Sequence, residues 1–283
     1  MCAYLVNSET AVITPPATVL VVGATGSIGR LVVAEALRQG YKVRALVRDL
    51  VKAKKLLPPQ SELIECDVTL SAGLAEIVRG VDAIVFTLGA GSVRGESAMV
   101  VDYGGVRNVL AARGHLSPRV ALMTAIGVTK RVDAQLGVLA GHDWKRRSER
   151  LVRVSGCPYT IVRPGWFDCN GADQHRLVLL QGDSRWASDA TDGVVSRHQI
   201  AEVLVRSLST VAAEGKTVEL VAEQGASTQD FEALFAPTDA DIPRELDAVH
   251  DRDNMPLADE PTWVRDELAS LYQPGLLKHD DAN

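Results

Sequence analysis

The run Val22-Gly23-Ala24-Thr25-Gly26-Ser27-Ile28-Gly29 holds the plainest chemistry in the chain. It follows an apolar stretch, Thr18–Val22, and opens a segment with helical apolar spacing at Ile28, Leu31, Val32 and Ala36. Each glycine there has a separate use. Gly23 permits a tight turn, Gly26 lets the backbone approach a phosphate, and Gly29 lets helix and strand pack closely. Free N–H groups at the helix start then attract an anion, and Thr25, Ser27 and Ile28 stand beside it. The ligand that suits this arrangement is a dinucleotide, held by its pyrophosphate.

Arg48 lies 19 residues past Gly29, at the end of the strand candidate Lys42–Val47. The residue at this place meets the adenosine ribose. A carboxylate suits the free 2′-hydroxyl of NAD, and an arginine suits the 2′-phosphate of NADP. Arg48 therefore predicts NADP(H). Arg44 and Arg30 add positive potential to the same region, whereas Asp49, if turned inward, opposes it.

These residues need a scaffold of alternating strands and helices. Strand candidates are Thr18–Val22, Lys42–Val47, Glu62–Glu65, Val81–Phe86, Arg119–Met123 and Tyr159–Val162. Between them lie helix candidates at Ser27–Gln39, Leu50–Leu57, Leu70–Arg79, Ser97–Ala112 and His142–Ser155. Leu88–Gly95 is a glycine-rich loop, and Thr124–Gly141 is expected to loop over the sheet. The alternation predicts an α/β fold: a doubly wound, Rossmann-like parallel sheet with its ligand at the carboxyl ends of the strands. After Pro164, Arg176–Gln181, Arg185–Ser188 and Lys216–Val221 are expected as strands, and Ser196–Leu208 and Pro261–Tyr272 as helices, with Gln229–Phe235 and a Pro- and Asp-rich stretch beyond Gly225. They form a small C-terminal substrate lobe and an extension, with the body ending at Gly225.

The glycine spacing, G-x-x-G-x-x-G, resembles that of the short-chain dehydrogenase/reductase superfamily. Arg44-Ala-Leu-Val-Arg48-Asp49, Asp67-Val68, Asp102-Tyr-Gly-Gly105 and Tyr159-Thr-Ile-Val-Arg163-Pro164-Gly165 narrow the resemblance to its atypical, NmrA-like NAD(P)H-binding branch. The likeness covers about residues 18–222. It implies that Asp67 and Val68 lie beside the adenine, that Leu88 and Gly89 pass the nicotinamide ribose, and that Pro164 and Trp166 turn over the nicotinamide. It also matches Thr124 to the catalytic serine region and Lys145 to the lysine of a Tyr-x-x-x-Lys pair, which holds the ribose and assists proton transfer.

Four residues before Lys145, where the tyrosine belongs, stands Gly141. Glycine donates no proton. Either the reaction does not need that acid, or another group supplies it, or no hydride reaches a carbonyl. His142 is one residue away, which rotates its side chain by about 100° on a helix, and it reads as a solvated cap. Trp166 and Phe167 divide evenly between pocket lining and core, and Asp168 is a candidate polar group beside them. The main reading is an NADPH-dependent oxidoreductase acting on a small carbonyl-type substrate. A non-catalytic NADP(H) sensor and an epimerase or isomerase with bound cofactor remain open.

Composition excludes other classes. There is no G-x-S-x-G elbow, no H-E-x-x-H and no Walker lysine. The cysteines, Cys2, Cys66, Cys157 and Cys169, form no C-x-x-C pair, and the histidines are scattered, so no metal site is expected. Without a signal peptide or a long apolar run, a cytoplasmic monomer or homodimer is expected, with neither nucleic acid nor membrane as partner. Charge is uneven: residues 226–283 hold 14 acidic and 4 basic residues, and residues 1–225 hold 22 and 26. Opposite fields predict that the acidic extension docks on the body, anchored by Phe231, Leu234, Phe235, Trp263, Leu268 and Leu271.

Overall fold

The computed structural model describes residues 12–90, 98–131, 137–243 and 245–272. Its centre is a sheet built from runs of Val, Ile, Leu and Ala, the composition of strands covered on both faces. The strands are β1 (Thr18–Val22), β2 (Lys42–Val47), β3 (Glu62–Glu65), β4 (Ala83–Phe86), β5 (Arg119–Met123), β6 (Tyr159–Pro164), β8 (Arg176–Leu180) and β10 (Lys216–Glu223). Their spatial order is β3-β2-β1-β4-β5-β6-β10-β8. All neighbours run parallel except β8, which closes the edge antiparallel to β10. β1 pairs with β2 on one side and β4 on the other, so the order reverses beside Gly23, the place where such sheets bind ligands. A two-stranded ribbon, β7 (Trp166–Phe167) with β9 (Val194–Val195), stands apart.

Helices α1 (Gly29–Arg38) and α6 (Arg197–Arg206) cover one face, burying Val32, Val33, Ala36, Ile200 and Leu204. Ser196 starts α6 with a reciprocal capping box to Gln199. Short α2 (Leu50–Leu56) follows β2. The other face takes α3 (Leu74–Val78), α4 (Gly104–Ala112) and α5 (Gly137–Val154), with Leu74, Val109, Leu110, Leu151 and Val152 inward.

Several expectations change. Gly73 (φ +81) delays α3, which is shorter than Leu70–Arg79. The expected single helix Ser97–Ala112 divides into a π-helical turn, Met99–Tyr103, and α4. The expected loop Thr124–Gly141 gives way to α5 from Gly137, so His142 is inside a helix and not at its cap. Residues 132–136 of that loop, and 91–95 of the glycine-rich loop, lie outside the described residues. Arg185–Ser188 is not a strand. The N–H groups of Ala187 and Ser188 donate to the Asp192 carboxylate, each at 2.7 Å, and Ser188 has φ +66, so the backbone offers no ladder.

The acidic extension docks on both faces. Helix α7 (Phe231–Phe235) buries Phe231 and Phe235 beside α6, and α8 (Thr262–Leu271) buries Val264, Leu268 and Leu271 on the opposite face. Trp263 is a surface contact, 42% exposed, stacked on Trp144. The connection crosses at the amino ends of β6 and β10, where Asp241 meets Tyr159, Thr217 and Arg153. It then runs along α5, pairing Asp247 with Arg146 and Arg150, and Glu260 with Arg147 and Arg150. Among the described residues no helix is long and apolar enough to cross a membrane.

Beneath α5 the sheet face is charged. Arg163 on β6 holds Glu149 of α5 and Asp251 of the extension, all three buried from solvent. Glu219 on β10 is 3.7 Å from Arg163, and its Oε1 lacks a hydrogen-bond partner among the described residues. Burial pushes the Glu219 carboxyl up to about 7.

Candidate dinucleotide site and reaction centre

Gly23 ends β1 with φ +90, a conformation in which a side chain is strained. A Cβ on Gly23 would lie 2.9 Å from the Thr87 carbonyl oxygen, and one on Gly29 2.1 Å from the Gly23 oxygen. Both positions therefore demand glycine, for closeness of backbone to backbone. Gly26 N–H closes the turn onto Gly23 O at 2.9 Å. Among the described residues the N–H groups of Thr25, Ser27 and Ile28 have no acceptor, and no side chain caps α1. Open donors, a helix dipole and the bare glycine backbone fit a pyrophosphate.

In front of this turn lies a cleft of about 210 Å³. It is lined by Gly23, Thr25 and Gly26 of the turn, by Arg48, and by Asp67, Val68, Leu88 and Gly89. Ser27, Ile28 and Gly29 begin the helix just behind. Arg48 is exposed and has no hydrogen bond or ion pair among the described residues. Asp49 turns away: it caps α2, accepting the Lys52 N–H at 2.9 Å. Arg44 adds nothing to the cleft, because it bonds Glu62 and the Ile77 carbonyl. The sequence reading missed Lys52, which enters the cleft beside Arg48, and Thr87, whose hydroxyl donates to Val22 O at 3.1 Å. The signal for Lys52 was its place three residues after the capping Asp49, on the first turn of the helix that follows β2.

Asp67 folds back on its own turn and accepts the N–H and hydroxyl of Thr69 at 2.9 and 2.8 Å. Those bonds, with Arg48 nearby, lower its pKa. Val68 is held by Asn108, which donates to its carbonyl at 3.0 Å. A Cβ on Gly105 would come 2.7 Å from Leu88 and 3.2 Å from Val68, so Gly105 lets α4 press on the wall of the cleft.

Thr124, Lys145, Pro164 and Trp166 do not line this cleft. Lys145, on α5, bonds Asp102 Oδ1 at 2.6 Å. The Thr124 hydroxyl, expected to serve a substrate, is buried and donates to Glu149 at 2.7 Å. Pro164 is buried and its carbonyl accepts from Ile126 at 3.1 Å. Gly165 then permits the β7–β9 ribbon, since its Cβ would sit 2.4 Å from Gly193 O. Trp166 is 42% exposed on that ribbon, and Asp168 (φ +54) accepts the Arg197 N–H at 2.9 Å and pairs with its guanidinium. A Cβ on Gly141 would meet Ala98 at 3.9 Å, an ordinary contact between α5 and the π-helical turn. His142 bonds the Gly127 carbonyl through Nδ1 at 3.2 Å, and burial lowers its pKa.

Comparison with known proteins agrees with this geometry. The model of a family described as NAD(P)H-binding matches residues 23–210. An uncharacterised chloroplast protein of Arabidopsis thaliana is 30% identical over 237 residues, covering 77% of this chain and 81% of that one. The oxidoreductase ylbE from Lactococcus lactis superposes with a TM-score of 0.59 at 17% identity, over 74% of this chain and 92% of that one. The NADPH-dependent quinone oxidoreductase QOR2 from Escherichia coli, solved with NADPH, gives 0.53 at 21% identity, over 73% and 71%. With an open helix start facing a glycine-lined cleft at the sheet's switch point, and a family model spanning most of the sheet, this chain belongs to the NAD(P)H-binding family.

Proposed function

We propose that this protein is an NADP(H)-dependent oxidoreductase that reduces a small quinone or a comparably activated carbonyl compound. The observation that carries the reading is Arg48, a guanidinium unpaired among the described residues, which lines the cleft together with Lys52. Two cations suit a 2′-phosphate, which offers them a charge-assisted bond that a bare hydroxyl does not. When bound, the nicotinamide supplies hydride. The missing tyrosine selects the acceptor. A hydroquinone anion is a far weaker base than an alkoxide, so a quinone takes hydride without a proton at the same instant. Gly141 is tolerable on that chemistry, and Lys145 remains as the polar group of the centre. The quinone reductase relative supports the same class of acceptor.

The buried Thr124–Glu149 bond favours a second reading, a non-catalytic NADP(H) sensor, since it occupies the other hydroxyl the family chemistry would use. NADPH oxidation with a panel of benzoquinones, naphthoquinones and activated carbonyls separates the two. Slow turnover, severely reduced in Lys145→Ala, is expected. Tight NADPH binding with no oxidation by any acceptor establishes the sensor. We infer a reducing compartment, the cytoplasm in the simplest case, from the free thiols of Cys66, Cys157 and Cys169.

A further inference from the structure

We propose that Asp102 is a positioning residue that ties Lys145 to the loop at the nicotinamide end of the cleft, and so sets the grip of the protein on that half of the cofactor. The proposal rests on the NADPH reading of the cleft.

Asp102 is 5% exposed, yet its carboxylate spans two separate elements. Oδ1 accepts from Lys145 Nζ of α5 at 2.6 Å, and Oδ2 from the backbone N–H of Ala90 at 3.2 Å. Ala90 adjoins Gly89, a wall of the cleft, and Val101, beside Asp102, lines it as well. One carboxylate thus joins the cleft wall to the lysine. Lys145 has three N–H donors. One is directed at Asp102, which leaves two for a ligand.

The local backbone is arranged for this. Asp102 lies in the π-helical turn Met99–Tyr103, which Gly104 N–H closes onto Met99 O. The extra residue of such a turn rotates the next stretch of helix, and turns of this kind recur at functional sites. The carboxylate is not needed to hold α5 against the turn, because Ser148 Oγ already donates to the Asp102 carbonyl at 3.0 Å. Nor is a buried ion pair a good source of stability, since well-packed apolar side chains do as well. What the pair adds is direction: it fixes where the Lys145 ammonium points and how far the 88–90 loop stands from it.

Calorimetric titration with NADPH and with adenosine 2′,5′-bisphosphate, the half that lacks nicotinamide, tests this in wild type, Asp102→Asn, Lys145→Met and the double variant. The expected result is about tenfold weaker NADPH binding in Asp102→Asn, the scale of one charge-assisted hydrogen bond, with bisphosphate binding unchanged. In the Lys145→Met background Asp102→Asn should add little, because the two residues act as a unit. If Asp102→Asn melts below the assay temperature, Asp102→Asn/Lys145→Gln, which removes both charges, should show the same selective loss. Equal loss for both ligands, no loss, or fully additive losses overturn the role of Asp102. Wild-type protein that binds neither ligand overturns the NADPH reading itself.

Discussion

Arg163 and Asp251 meet through two hydrogen bonds of 2.6 and 2.7 Å beneath α5, and neither side chain reaches solvent. Burial alone would raise the Asp251 carboxyl; the charge of Arg163 outweighs it and holds the group at about 2. Removing one member of such a pair leaves the other charge buried. We expect Asp251→Ala to cost about 3 kcal/mol, the lower end for a broken buried pair because Glu149 still holds Arg163. Urea unfolding measures this, and a midpoint equal to wild type contradicts it. The stabilisation from Asp251 should be complete above its unfolded value near 4 and lost as pH falls toward 2.

Glu219 titrates in the opposite sense. Its carboxyl is raised from 4.5 to about 7, so between those values the folded state binds more protons than the unfolded one. The contribution of Glu219 to stability should therefore fall as pH rises from about 4.5 to 7, by on the order of 3 kcal/mol. Glu219→Gln should flatten that slope and exceed wild type in stability at pH 8. Melting curves across this range decide, and parallel profiles for the two proteins would refute the assignment.

Arg48→Ala should weaken NADPH binding by about 10- to 100-fold, the scale of a charge-assisted hydrogen bond at 1.5–3 kcal/mol. NADH affinity should barely change. Lys52→Ala should act in the same direction with a smaller effect, as a point charge without the guanidinium fork. Equal losses for both cofactors in either variant would remove the 2′-phosphate from the argument.

Gly29→Ala places a methyl 2.1 Å from the Gly23 oxygen, and backbone cannot swing aside as a flexible side chain can. Overpacking of this kind costs roughly 1–3 kcal/mol. The displaced turn should also lose dinucleotide affinity. Unaltered melting together with unaltered NADPH titration would show that the turn is looser than its geometry.

Legibility followed the range of the interaction. The expected bounds of β1, β2, β3 and β5 match because short strand-forming runs between helical patterns are local signals. The Asp192 carboxylate that captures two amide groups is also near in sequence, yet no periodicity reveals it. The glycine turn was legible because each glycine is required by its neighbours, and Arg48 because it ends a strand. The partners of Glu149 were not legible: only the folded chain shows it bonded to Thr124 and Arg163. Opposite net charge foretold that the extension docks, while the partners of Arg146, Arg147 and Arg150 emerged only in three dimensions.

The docked extension sets a schedule for synthesis. Asp251 comes 88 residues after Arg163. At roughly 5–20 residues per second, a ribosome takes about 4–18 s to make that stretch. Throughout it strands β1 to β6 are already synthesised, while Arg146 and Arg150 await Asp247 and Glu260, and Arg163 has Glu149 but not yet Asp251. Burying those guanidinium groups early would leave charge unpaired in an apolar interior. Early burial of the face beneath α5 is therefore disfavoured, and the elements that carry Lys145 should settle only once Asp247, Asp251 and Glu260 have left the exit tunnel.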